Sequence, residues 1–176
     1  ERDCSRLPPE ETHTFLSYGS KKLFDRLCTI TQIFLPQFKI LSDSSRKNLI
    51  LIKLNTKQLV FFLTRKTCLG IALNQENVNF ISLKEDEEVY LHVNLTEFCD
   101  VLRSKTWSEF QGFMDIRLNY IYFHAFKLLP IEIEGGEKPS NINFCFGLNA
   151  PTISRDDFEK FMINCAEGFF LENIKD

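Results

Sequence analysis

Apolar and polar positions along this chain switch between a period near 3.6 residues and a period of 2, and the switches mark its elements. A helix is predicted from Ser20, because Leu23, Phe24, Leu27, Ile30, Thr31 and Phe34 recur at three- and four-residue spacing and so share one face. Pro36 ends it, since proline has no amide proton to donate and clashes with the preceding turn. The other face carries Lys21, Lys22 and Arg26, with Asp25 among them. Ahead of this helix, residues 13–18 read as a short first strand, and residues 1–11 as a polar, proline-bearing arm.

A run of short strands is expected next. Residues 38–41 are brief, and Asp43, Ser44 and Ser45 then supply turn chemistry. Residues 49–54 and 59–64 form a hairpin about Asn55, Thr56 and Lys57. Residues 78–83 alternate less cleanly. After the acidic turn Glu85, Asp86 and Glu87, the alternation is sharp: Val89, Leu91 and Val93 point inward, and Glu88, Tyr90 and His92 outward.

Asn94 caps a second helix, with Leu95, Phe98, Cys99 and Leu102 on its buried face and Arg103 and Lys105 at its C-terminal end, where cations also suit the helix dipole. Strands are expected again at residues 113–118, 120–126 and 128–134. The Gly135-Gly136 pair opens the clearest linker pattern in the chain, residues 135–141. Beyond it lies a strand at 142–148, then a third helix that Ser154 and Asp157 open in capping-box fashion, with Phe158, Phe161, Met162, Cys165 and Phe169 as its stripe. The predicted fold class is therefore α+β. Antiparallel sheets are backed by two short amphipathic helices in residues 12–134, and residues 142–176 add a strand-helix segment.

Composition narrows this picture. The chain has 176 residues, of which 44% are hydrophobic and 26% charged, as expected for one globular domain that folds without a metal or disulfide staple. Phe is in excess, 18 residues against four Tyr and one Trp, so its carbon goes into core or interface, and at least one exposed apolar patch is expected. A net charge of −3 excludes a surface basic all over, though not a local basic stripe. No apolar run approaches the ~18 residues of a membrane span.

Catalytic and metal chemistry find little footing. The six cysteines show no CxxC spacing and no nearby histidine, and Cys28, Cys99 and Cys165 fall within apolar helical stripes, as small buried hydrophobes do. That pattern points to a reducing compartment. Asp86, Glu87 and Glu88 are consecutive, so they point in different directions and read as a solvated turn. His13, His92 and His124 each stand alone, and there is no glycine-rich phosphate loop or nucleophile elbow. An enzyme, a cofactor and a small-molecule substrate are not expected. Asn94-Leu95-Thr96 is a glycosylation sequon, which matters only if the chain is secreted.

The order strand, helix, several strands, helix, strands resembles one domain of a DNA sliding clamp. The likeness is carried by CLGIALNQENVNFISLKEDEEVYLHVNLTEFCDVLRS, with its strand, acidic turn, strand and short helix opening at Asn94, Leu95 and Thr96, and by LLPIEIE, similar to the strand that closes a first clamp domain. Among clamps it is most similar to subunits of the checkpoint, nine-one-one-type ring. The resemblance implies a non-enzymatic subunit that assembles with other protein chains as a hetero-oligomer in the nucleus and encircles duplex DNA in damage-checkpoint or replication processes. Sheets would form the outside of the ring and two helices per domain its lining. It places Lys21, Lys22, Arg26, Arg103 and Lys105 against the DNA backbone through weak, sequence-blind contacts. Clamp chains of this kind carry two such domains, so residues 142–176 are either the start of a second or a C-terminal extension. The alternative is an α+β interaction module without DNA contact, intracellular or secreted and glycosylated at Asn94.

Overall fold

A computed structural model describes residues 2–4, 13–19, 22–23, 25–29, 49–63, 67–103, 111–133, 136–163 and 170–174. Its strands are β1 (Arg2–Cys4), β2 (Thr14–Tyr18), β3 (Leu49–Leu54), β4 (Gln58–Phe62), β5 (Thr67–Ala72), β6 (Val78–Ile81), β7 (Val89–Asn94), β8 (Gln111–Arg117), β9 (Tyr120–Ile133), β10 (Gly136–Asn149), β11 (Thr152–Ile153) and β12 (Phe170–Ile174). The helices are α1 (residues 22–23 and 25–29), α2 (Leu95–Arg103) and α3 (Arg155–Ile163). The chain is α+β, mostly antiparallel sheet with a few short helices.

Two six-stranded sheets run in the orders β1-β10-β9-β8-β2-β6 and β11-β7-β3-β4-β5-β12. Within them the chain repeats itself. Among the described residues, the succession β2-α1-β3-β4-β5 has the same order of elements as β7-α2-β8-β9-β10. The opening strand of each unit joins the other unit's sheet: β2 pairs β8, and β7 pairs β3, both antiparallel. This exchange ties the units into one core, because neither sheet is complete without a strand from the other half.

Strand alternation decides what fills that core. Ile50, Ile52, Leu59, Phe61, Leu69, Ile71, Leu91 and Val93 from the second sheet join Leu16, Met114, Ile116, Ile121 and Phe123 from the first in one buried cluster. Leu23 and Leu27 of α1 and Leu95, Phe98 and Cys99 of α2 belong to the same cluster. Phe98 spans it: its ring lies 6.1 Å from that of Phe61 on β4 and 6.4 Å from that of Phe123 on β9. Residues of the opposite register, Leu51, Val60, Phe62, Cys68 and Tyr90, form a second cluster under Phe158 of α3. The second sheet is thus buried on both faces, which is why β3 to β5 read as continuous apolar runs.

Several expectations are corrected. Arg2–Cys4, inside the expected arm, is a strand paired in parallel with β10. Residues 67–72, assigned to no element, form β5. The strands expected at 120–126 and 128–134 are one, since Tyr120–Ile133 pairs residue by residue with Gly136–Asn149. The expected linker 135–141 is therefore strand from Gly136 onward, and Gly135 lies outside the described residues. The hairpin's long arms satisfy each other's backbone groups, and this outweighs the glycine and proline signals. Beyond it, α3 packs on the same second sheet through Phe158, and β12 extends that sheet by pairing in parallel with β5. The strand expected at 38–41, and positions 30, 31, 34, 165 and 169 of the helical stripes, lie outside the described residues.

Local chemistry explains the turns and caps that were foreseen. Asn94 Oδ1 accepts from the Glu97 amide at 3.0 Å, and Ser154 Oγ from the Asp157 amide at 3.1 Å, each satisfying an open N-terminal donor. Asn119 sits in the β8–β9 turn with φ at 62°, a left-handed conformation that asparagine tolerates. Its side chain accepts from the Thr152 amide at 2.8 Å, fixing β11 against this hairpin tip.

Candidate functional site

The helices carry the residues that the resemblance assigns to DNA. Lys22 is exposed on α1. Arg26 is not an independent cation: its guanidinium donates to Glu172 of β12 at 2.7 Å, with both side chains about one-third exposed. A half-exposed pair of this kind is worth about 0–1 kcal/mol, yet it cancels the charge offered to a phosphate. Asp25 lies on the same helix, and Glu97 and Asp100 are exposed on α2. Arg103 ends α2, with its side chain outside the described set, as are Lys21 and Lys105. The described helix surfaces are thus close to charge-balanced. Nothing in the sequence marks Glu172 as a partner of Arg26, because the two are 146 residues apart and only the parallel docking of β12 joins them.

Sheet edges are a second class of candidate. β1 and β6 end the first sheet, and β11 and β12 end the second. β5, the last strand of the first repeated unit, is therefore covered by the parallel strand β12 of this same chain, which removes the open ladder that invites pairing with other chains, whereas among the described residues β1 covers β10 only at Asn143–Cys145. β6 is short and carries Phe80, 51% exposed. With Leu118 and Ile163, Phe80 completes the exposed large hydrophobics among the described residues.

The outward face of the first sheet holds an unusual polar row. Asp115 is buried on β8, and its Oδ2 accepts from Arg117 at 3.0 Å while Oδ1 is buried with no donor. The Arg117 guanidinium also lies 6.0 Å from the centre of the Tyr122 ring. Beside Asp115 opens a shallow groove of about 420 Å³ lined by His13, Thr14, Ser17, Phe80, Phe113 and Asp115. Ser82 donates its hydroxyl to the Thr14 carbonyl at 2.8 Å, so the His13 Nε2 contact to Ser82 Oγ at 3.0 Å has the ring N–H as donor. His124, read as solitary from sequence, packs edge-on against Phe113 with centroids 4.9 Å apart.

A further polar cluster lies on the second sheet beside α3. Glu88 accepts from the Tyr90 hydroxyl and, at 3.0 Å, from Asn55 Nδ2. Burial alone would raise the Glu88 carboxyl, but these hydrogen bonds, with Lys53 and Arg155 nearby, bring it below its ordinary value. Burial and the Glu88 carboxylate push the Tyr90 phenol up to about 12. The Tyr90 ring lies 4.5 Å from Phe158. Glu88 is thus a structural acceptor, and like Asp86 and Glu87 it is exposed.

Cysteine chemistry departs from expectation in one respect. Cys28, Cys68 and Cys99 are free thiols, with burial and Asp25 raising Cys28 to about 11, far from the range of a reactive thiolate. Cys145, however, is disulfide-bonded, and the β1–β10 register sets Cys4 directly across from it. Asn94 is exposed, and its sequon partner Thr96 is exposed too. Among the described residues no cluster of His, Cys, Asp or Glu is arranged to hold a metal ion, and no helix is long and apolar enough to cross a membrane. No protein-family model matches the chain, and no curated protein is significantly similar to it.

Proposed function

We propose that this chain is a non-enzymatic, clamp-like subunit that joins other chains to encircle duplex DNA in damage-checkpoint or replication processes in the nucleus. The observation that supports the reading is that α1 and α2 both seat apolar residues in the one core that the two sheets share, as the two helices of a clamp domain would. The mechanism is topological. A closed ring holds the duplex by enclosure, helix cations supply a weak phosphate attraction, and the outward sheet faces are left for partners. Because β12 covers β5 while β1 covers β10 only at Asn143–Cys145, assembly on this reading uses the part of β10 beyond β1 or the exposed sides of the covering strands.

The test is retention on closed circular duplex DNA in the presence of candidate partner chains, measured against salt. Changing Lys21, Lys22, Arg26, Arg103 and Lys105 together to Glu removes up to five phosphate contacts, and each is worth roughly 0.9 in the slope of log affinity against log salt. With Arg26 tied to Glu172, a loss of ~3–4 is expected, and Arg26→Glu alone changes little. Retention that is equal on linear DNA, or unmoved by the fivefold change, overturns the proposal.

One observation favours a second reading, a secreted, glycosylated binding module. Disulfides persist in oxidising compartments, and Cys145 is bonded in a chain that also displays an exposed sequon at Asn94. Thiol titration of the unfolded native protein separates the two. All six cysteines react if the chain works in a reducing compartment. Fewer react, with a glycosidase-sensitive mass at Asn94, if it is secreted.

A further inference from the structure

The groove on the outward face of the first sheet has a chemistry that the ring reading does not use. Its floor contains a carboxylate, Asp115, whose side chain is 8% exposed and whose Oδ1 has no donor. Leaving a buried acceptor unpaired is costly, and such a group calls for a donor from outside the chain. Arg117 sits on the Oδ2 side, so the unmatched end of the carboxylate is Oδ1. Phe113 and the half-exposed Phe80 line the same opening, and aromatic faces attract cations. Ser17 adds a hydroxyl between them: it stands opposite Phe80 in one register and opposite Asp115 in the other. The chain's net charge of −3 favours the approach of a positive group.

We propose that this groove receives the side chain of an arginine or lysine from an extended segment of a partner protein, the alkyl stem lying between Phe80 and Phe113 and the cationic head donating to Asp115 Oδ1. The segment crosses the face of the sheet. A strand added to the β6 edge would lie three strand spacings from Asp115, about 14 Å, beyond the reach of one side chain. Phe80 shifts its rotamer to admit the head group, an adjustment open to an exposed ring on the picosecond to nanosecond scale. The inference goes beyond the ring reading and does not need it, since the groove belongs to the free chain.

The test is a titration of the full chain, followed by backbone amide shifts, with three blocked Gly-Gly-X-Gly-Gly peptides in which X is arginine, lysine or norleucine. Saturable shifts at Phe80, Phe113 and Asp115 are expected with the first two, at a dissociation constant on the order of 1 mM, and not with norleucine. Asp115→Asn keeps the shape and removes the charge, and weakens arginine binding at least about tenfold, the scale of a charge-assisted hydrogen bond. Phe80→Ala weakens it several-fold while touching only an exposed residue, so it decides the matter if Asp115→Asn fails to fold. Equal shifts with norleucine, no saturation up to tens of millimolar, or arginine binding unchanged in Phe80→Ala overturns the proposal. None of these results bears on DNA retention.

Discussion

Truncation of Phe98 tests whether one side chain of α2 joins the two sheets. The ring is fully buried and lies within aromatic contact range of Phe61 on one sheet and Phe123 on the other. Phe98→Ala loses the transfer free energy of the ring, leaves a cavity that the exchanged strands prevent from collapsing, and gives up two ring pairs worth ~0.5–1.5 kcal/mol each. The total expected is about 3–5 kcal/mol, a large share of the 5–15 kcal/mol that holds a typical domain folded. For a chain of this size that corresponds to a fall in Tm of about 6–20 °C. Urea unfolding followed by far-UV circular dichroism measures it, with Phe80→Ala as the control. Phe80 is 51% exposed, and its loss is expected to change stability by no more than ~0.5 kcal/mol. If Phe98→Ala costs under 1 kcal/mol, or no more than Phe80→Ala, then α2 is not seated between the sheets and the lining of any ring loses its support.

Other outcomes follow from single contacts. A Cβ placed on Gly147 would fall on the Tyr120 ring and hydroxyl, so Gly147→Ala displaces a buried tyrosine and costs about 1–3 kcal/mol; Gly19→Ala, whose Cβ would meet the Gly112 carbonyl at 3.1 Å, is the milder control in the same unfolding assay. Tyr90 has its phenol raised from 10 to about 12, so the unfolded chain releases this proton first as pH rises. Its contribution to stability is full below pH 10 and disappears between 10 and 12. Tyr90→Phe, monitored by alkaline unfolding, is expected to flatten that decline, and an unchanged curve would mean that the Tyr90 hydroxyl and its bond to Glu88 do not set the alkaline loss of stability.

What the sequence determined alone was whatever depends on neighbours along the chain. The Asn94 and Ser154 caps, the hairpin about Asn55, the inward set Val89, Leu91 and Val93, and the burial of Leu23 and Leu27 on α1 and of Leu95, Phe98 and Cys99 on α2 all follow from spacing and local hydrogen-bond chemistry, and the structure has them. Tertiary structure decided what depends on distant partners. Residues 136–141 carry turn-forming residues, yet they form strand because β9 offers a full ladder alongside. Arg26 looked like a free cation until β12 brought Glu172 to it. Asp115 and Phe80 lie on separate strands, and only the pairing of β2 with both β6 and β8 sets them around one groove. Periodicity reports which side of an element is apolar, but the cross-strand register that joins remote residues is fixed by the packing of the whole core, and no local window of sequence contains it.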